Sequence, residues 1–329
     1  MKLGLGFNPI ISVRDAMAEA SRADALGYDS VWVHESLYQR DVVTYISAMA
    51  SSTTKIMLGS GVINTFTRHP VTTATTFATL SELSEGRVTL GLGLGSFPTI
   101  PLIGHRIFPV GETKPIRRIR EYVEVVKKTW GGERVEFDGD FFQVHGLTMG
   151  FEVARKIPIF VASLSPRIQA FAATVADGVI LSPALATPRG TEAMVENVKR
   201  GEAKQGRGVE RASYLLTSVD RDPVRAAQAV KDYYFFAYQL SEVVDPETLS
   251  PYGVTEEDLR PLKEAWRRGD EPGARRLIPE EAVEALTVTG TPDHATERID
   301  EYRKAGVTLP ILMPIGDVGC AVNELAPRG

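Results

Sequence analysis

Four short segments carry the residue types that polar chemistry needs. In SVWVHES an apolar run ends in His34, Glu35 and Ser36. A carboxylate closing an otherwise apolar strand is partly buried, so its pKa rises and it can hold a polar ligand edge or move a proton. The alternative for Glu35 is a rim carboxylate paired to an Arg or Lys. His34 faces the opposite way if the strand continues through it. The second segment, IMLGSGVINTFTRHP, ends an apolar run in Gly59, Ser60, Gly61 and Val62, passes Asn64 and meets Arg68, His69 and Pro70. Glycines there let the backbone approach a flat ligand closely. His69 reads as a structural imidazole that bonds a loop carbonyl and keeps loop 61–64 in shape. In GRVTLGLGLGS, Leu94, Gly95 and Ser96 close another apolar run. Finally, Ser163, Leu164, Ser165 and Pro166 follow IPIFVA. They read either as an anion site at a helix N-terminus or as an ordinary cap, with Ser165 at N-cap and Pro166 at N1.

These segments need a frame that brings strand ends together. Strand-like runs at 2–7, 30–33, 56–60, 88–92, 157–162, 178–181, 213–219 and 309–313 alternate with helical patterns. Near-continuous apolar strands separated by helices indicate parallel β-structure. Eight such units predict an α/β fold, a (β/α)8 TIM barrel whose chemistry lies at the C-terminal strand ends. Asn8, His34, Glu35, Ser36, residues 61–64, Gly95, Ser96, residues 163–165, Ser182, Ser218 and Pro314 then share one rim. Helices are expected at 12–26, with Gly27 as the stop, and at 42–51, 115–130, 167–175 and 192–204. A hairpin is expected at 135–137 with 141–144. Residues 242–285, rich in Pro, Glu and Arg, read as a helical insertion, a lid or interface before the last unit of a single domain spanning 1–329. GLGLGS is not followed directly by a helix, which argues against a dinucleotide-binding open sheet. Arg117, Arg118, Arg120, Lys127 and Lys128 alternate with an apolar stripe and read as a solvated helix face. The aromatic cluster at 233–238 reads as core or dimer packing.

Composition narrows the class. The 329 residues are 43% hydrophobic and 24% charged with a net charge of -5, so no basic field invites nucleic acid. No apolar run nears the ~20 residues that span a bilayer, and the N-terminal MKLGLGFNPII lacks a signal peptide's long apolar region. The single cysteine, Cys320, excludes an intramolecular disulfide framework and fits a reducing cytoplasm. Five scattered histidines without ligand spacing predict no metal site.

With the runs ADALGYDSVWVHES, KIMLGSGVINTFTRHP, TLSELSEGRVTLGLGLGS, IPIFVAS with ATVADGVILS, and GTPDHATERIDEYRKAGV in that order, the chain resembles the bacterial-luciferase-like flavin and deazaflavin oxidoreductases. Within them it is most similar to the coenzyme F420-dependent branch that includes methylenetetrahydromethanopterin reductase. The resemblance implies a TIM barrel with an insertion, commonly dimeric. It implies a non-prolyl cis peptide at Gly61–Val62 beneath the ring, with Asn64 at the ring's pyrimidine edge and Leu94 and Gly95 lining it by backbone. Ser163, Leu164 and Ser165 match the phosphate-binding turn. The Asp-His or Glu-His pair common after the second strand is Glu35-Ser36 here, and the acid some members carry after the fourth strand is Ser96. A more apolar site is therefore expected, favouring direct hydride transfer with little proton chemistry. The expected function is an F420-dependent oxidoreductase passing a hydride between deazaflavin C5 and a small organic substrate. Glu35, Ser36 and Ser96 would act on the substrate side. The rival readings are an FMN-dependent monooxygenase and a non-catalytic flavin-binding dimer.

Overall fold

Eight parallel strands close on themselves in the computed structural model, which describes residues 1–36, 38–95, 114–181 and 185–327. In chain order the first strands are β1 (Gly4–Phe7), β2 (Ser30–Val33), β3 (Met57–Ser60), its short continuation β4 (Ile63–Asn64), and β5 (Val88–Gly93). A separate antiparallel hairpin follows, β6 (Val135–Asp138) with β7 (Gln143–Leu147). The chain then returns through β8 (Ile159–Ala162), β9 (Gly178–Ile180), β10 (Glu210–Val219), β11 (Val288–Gly290) and β12 (Leu309–Pro314). Around the barrel the order is β1, β2, β3, β5, β8, β9, β10, β12 and back to β1. β10 closes the ring by pairing β9 through Glu210–Ala212 and β12 through Ala212–Thr217, and β11 adds to its far end. All eight expected strands are present, as is the hairpin.

The helices wrap outside, so the strands are buried on both faces and read as unbroken apolar runs. They are α1 (Val13–Leu26), α2 (Val42–Ser52), α3 (Pro70–Leu83), α4 (Pro115–Trp130), α5 (Pro166–Val175), α6 (Pro188–Gln205), α7 (Pro223–Asp232), α8 (Tyr234–Glu242), α9 (Glu256–Arg267), α10 (Glu271–Arg276), α11 (Glu280–Leu286), α12 (Pro292–Lys304) and α13 (Val318–Glu324). Local signals set their ends: Ser12 caps α1 by accepting from Asp15 N, and Gly27 ends it in the left-handed region at φ +83°.

Inside the barrel, rings from one strand fill the space left by glycines on another. A Cβ on Gly59 would lie 2.3 Å from the Trp32 ring, one on Gly178 2.5 Å from Phe160, and one on Gly6 2.8 Å from Tyr214. This size alternation is how a small barrel packs its interior. The same apolar cluster runs outward through Phe236, Leu240, Leu259, Leu262 and Ile278, so the 242–285 segment packs into the core as helices α9 to α11. Among the described residues no helix is long and apolar enough to cross a membrane. Ser96, His105 and Ser182 lie outside the described residues.

Candidate active site

The loop after β3 is the centre of the rim. The Gly61–Val62 peptide bond is cis, as expected. A Cβ on Gly61 would stand 1.8 Å from Tyr214 Oη and 2.9 Å from its Cζ, so only glycine fits over this ring. Gly61 N donates to Val33 O at 2.7 Å, while Ser60 Oγ donates to Gly91 O at 2.8 Å and accepts from Gly91 N at 3.0 Å. The bulge is thus tied to β2 on one side and β5 on the other. Val62 packs toward β5, where a Cβ on Gly93 would meet it at 2.8 Å. Tyr214 is 2% exposed, and its hydroxyl has no hydrogen-bond partner among the described residues.

Glu35 spends both oxygens on this loop. Oε2 accepts from Asn64 N and Oε1 from Arg68 Nε, each at 2.7 Å. Arg68 also pairs with Asp41, the N-cap of α2. Burial pushes the Glu35 carboxyl above its ordinary range, opposed by Arg68 and by Asn64 N–H. The rim-pair alternative therefore describes the geometry of Glu35. Asn64, 3% exposed, uses Oδ1 to accept from Phe66 N at 2.8 Å, which leaves its Nδ2 beside Gly95. A Cβ on Gly95, itself at φ +71°, would fall 2.0 Å from that nitrogen. Leu94 precedes it, half-buried against the outer core. Ser36 is half-buried, and its hydroxyl makes no hydrogen bond among the described residues.

Sequence reasoning missed one support of this loop. Arg118 does not face solvent with Arg117 and Arg120. Its guanidinium stacks over Phe66 at 4.2 Å and Phe141 at 4.5 Å, and it donates to Thr65 O at 3.2 Å. His69 is structural as expected, but through a different partner: Nδ1 accepts from Val71 N at 3.3 Å as the cap of α3, and its ring meets Phe142 edge-on.

The structure also brings His34 to the site. β2 ends at Val33, so strand alternation does not carry through to the histidine. His34 Nδ1 lies 2.8 Å from Asn8 Oδ1, and Asn8 Nδ2 donates to Tyr233 Oη at 2.7 Å. Because Asn8 Oδ1 accepts, Nδ1 carries the proton and Nε2 keeps its lone pair. Nε2 makes no hydrogen bond among the described residues. The ring stands edge-on to Tyr214 at 4.5 Å, and desolvation holds its pKa down to about 4. Asn8 and Tyr233 gave only weak signals: one was a strand-end residue and the other one aromatic among five.

At the end of β8, Ser163 Oγ accepts from Ser165 N at 3.1 Å, and Gln169 Nε2 donates to Ser163 O at 2.9 Å. Ser165 is the N-cap of α5, yet its side chain caps no backbone N–H. Gln169 N is the first to bond back, to Ser165 O at 2.9 Å, which leaves the N–H groups of Arg167 and Ile168 open. Leu164 is 54% exposed above this turn. Among the described residues no group of three or more His, Cys, Asp or Glu is placed to hold a metal ion.

A sequence model of the family described as luciferase-like monooxygenase matches residues 4–309. The chain belongs to this family. It is 31% identical over 324 residues to the 5,10-methylenetetrahydromethanopterin reductase of Archaeoglobus fulgidus, covering 96% of this chain and 94% of that one. It is 28% identical over 320 residues to the F420-dependent glucose-6-phosphate dehydrogenase of Intrasporangium calvum, covering 92% and 90%. Among solved structures, the coenzyme F420-dependent tetrahydromethanopterin reductase from Methanopyrus kandleri superposes with a TM-score of 0.88 at 26% identity, over 99% of this chain and 97% of that one. An FMN complex of the 3,6-diketocamphane monooxygenase from Pseudomonas putida shares the fold, with a TM-score of 0.72 at 20% identity, over 100% and 98%.

Proposed function

We propose that this luciferase-like protein is a coenzyme F420-dependent oxidoreductase acting on a small organic substrate. The observation that carries the reading is the cradle formed by Gly61, Val62, Asn64 and Gly95, in a chain similar over its whole length to F420-dependent reductases. The residues present fit a flat tricyclic ring. Side chains at 61 or 95 would collide with Tyr214 or Asn64, so the backbone itself forms the floor. The turn at 163–165 fits the phosphate, with open N–H groups at Arg167 and Ile168 and a Ser165 hydroxyl not used as a cap.

When bound, the deazaflavin supplies a two-electron hydride carrier at C5. The chain's own groups bind, orient and hold protons. Gly61, Val62 and Asn64 hold the ring, and Glu35, through Arg68 and Asn64 N, keeps that loop in place as a positioning residue. His34 Nε2 offers an acceptor on the substrate side, and Ser36 and Ser96 are the proposed hydroxyl contacts. Homodimerisation and a cytoplasmic location complete the reading; light scattering coupled to size exclusion checks the first.

Parallel fluorescence and thermal-shift titrations of the purified protein with F420 and FMN test it. Saturable binding of F420, stronger than of FMN, is expected. No quenching or thermal shift with F420, or FMN binding with reductase-dependent oxygen uptake, would overturn it.

A further inference from the structure

Three residues from separate elements, His34, Asn8 and Tyr233, form one hydrogen-bonded network at the barrel mouth. β1 and β2 pair with Phe7 beside Val33, so Asn8 and His34 leave adjacent strands side by side, and His34 N donates to Phe7 O at 3.1 Å. Tyr233 comes from the junction of α7 and α8, where its backbone is extended, and it packs against the apolar cluster that holds Trp32, Phe160 and Tyr214. Every member of this network can both donate and accept. A neutral imidazole does one at each nitrogen, a carboxamide offers an oxygen and an NH2, and a phenol does both at one atom. The network therefore has two self-consistent senses.

In the structure, Asn8 Nδ2 donates to Tyr233 Oη at 2.7 Å, which turns Oδ1 toward His34 Nδ1 at 2.8 Å. The bond made at one ring nitrogen sets the state of the other, so the proton sits on Nδ1 and Nε2 accepts. In the opposite sense the amide is turned over, Nδ2 donates to Nδ1, and Nε2 carries the proton. The first sense depends on the Tyr233 oxygen, because that atom takes the Asn8 NH2. Without it, His34 Nδ1 is the remaining acceptor in the network, and a half-buried NH2 left unpaired is costly. The imidazole cannot answer by rotating instead, since it stands edge-on to Tyr214 at 4.5 Å. We propose that Tyr233 is a positioning residue: acting through Asn8, it keeps His34 in the tautomer whose Nε2 accepts, and so favours substrates that present an O–H or N–H there. The inference deepens the F420 reading, on which the substrate's place beside Nε2 rests.

The test is nitrogen–proton NMR of the histidine side chains of the full chain at about pH 8, with His34 assigned by its absence from H34Q. The wild type is expected to show Nδ1–H and a bare Nε2 at His34, and Tyr233→Phe the reverse. Asn8→Asp separates this effect from loosened packing: a carboxylate only accepts, so N8D/Y233F keeps Nδ1–H. The new charge raises the imidazole by about 1–3 pH units from its value of about 4, so the ring is still neutral at about pH 8. Nε2–H in the wild type, Nδ1–H retained in Y233F, or inversion in N8D/Y233F each overturns the proposal. Should Y233F fail to fold, Asn8→Leu cuts the same network at its middle. A mixture of tautomers is then expected, and undiluted Nδ1–H overturns the proposal. These spectra need no cofactor, so their failure leaves the F420 reading standing. Wild-type protein that shows the expected tautomer and binds no F420 overturns that reading alone.

Discussion

Gly61→Ala probes the platform directly. Its Cβ would sit 1.8 Å from Tyr214 Oη and 2.9 Å from Cζ, where ordinary contact begins at 3.4 Å. Tyr214 has no room to step aside. It is 2% exposed, it fills the space over Gly6, and His34 stands edge-on to it at 4.5 Å. Overpacking of this kind costs about 1–3 kcal/mol, and the rigid surroundings place this site near the upper end. With an unfolding entropy of about 2.1 cal/mol/K per residue, each kcal/mol lowers the Tm of a chain this long by about 1.5 °C, so a drop of about 3–4 °C is expected. Tyr214→Phe removes the oxygen that makes the shortest contact. Alone it is neutral or stabilises by about 1 kcal/mol, because a buried hydroxyl without a protein partner is lost. Combined with Gly61→Ala it restores more than that, giving a coupling of about 1–2 kcal/mol. Calorimetry on the four proteins measures the coupling, and F420 titration should show at least a tenfold loss of affinity for Gly61→Ala alone. Strictly additive stabilities, or wild-type Tm and affinity for Gly61→Ala, would refute the reasoning.

Glu35→Ala leaves Asn64 N and Arg68 Nε without their acceptor. Breaking a buried pair costs about 3–5 kcal/mol, and because Arg68 keeps Asp41 the expected loss is about 2–3 kcal/mol in urea denaturation, with weaker F420 binding; an unchanged midpoint would remove Glu35 as the clamp. His34, with its pKa held near 4 by desolvation, takes up a proton later than the unfolded chain as pH falls. Its contribution is complete above about pH 6.5 and is lost towards pH 4, amounting to about 2–3 kcal/mol, so His34→Gln should flatten the stability curve in that window; parallel curves for the two proteins would count against it. Ser165→Ala should leave stability within about 0.3 kcal/mol, against about 1 kcal/mol for a working cap, yet weaken F420 about fivefold; a stability loss without an affinity change would make Ser165 an ordinary cap.

The barrel was legible because its strands are buried on both faces and announce themselves as apolar runs, Val88–Gly93 and Leu309–Pro314 among them. The stripe through Ile119, Val123 and Val126 did the same for α4. What stayed hidden depended on partners distant in sequence. Arg118 sits among charged neighbours at helical spacing, and only the arrival of Phe66 and Phe141 from other elements turns it inward. Tyr214 reads as one more residue of a buried strand until Gly6 and Gly61 leave space for its ring. Glu35 kept two readings open because spacing shows that a carboxylate is at a strand end, not which cation reaches it. His34 was set aside on strand alternation, which stops at Val33.

The resulting site divides its labour unevenly. Glu35, Arg68, Arg118, Ser60 and the His69 cap all brace one loop, so the seat proposed for the ring is built before any ligand arrives, and such preorganisation lowers the cost of binding. On the side proposed for the substrate there is one described histidine, held neutral, with Nε2 as an acceptor and Nδ1 committed to Asn8. A group with a pKa near 4 is a weak base at neutral pH, and it does not serve as a standing acid. It is matched instead to a donor on the substrate, an alcohol O–H or an amine N–H, which it can orient toward the carrier. An acceptor-only imidazole has nothing to offer a bare carbonyl oxygen, so that end of a reaction would fall to Ser36, whose hydroxyl donates as well as accepts. Selectivity should therefore follow substrate hydrogen-bond polarity: His34→Gln, which adds a donor, should raise kcat/KM for carbonyl substrates relative to alcohols. A kcat/KM ratio unmoved by that change would exclude His34 from substrate contact.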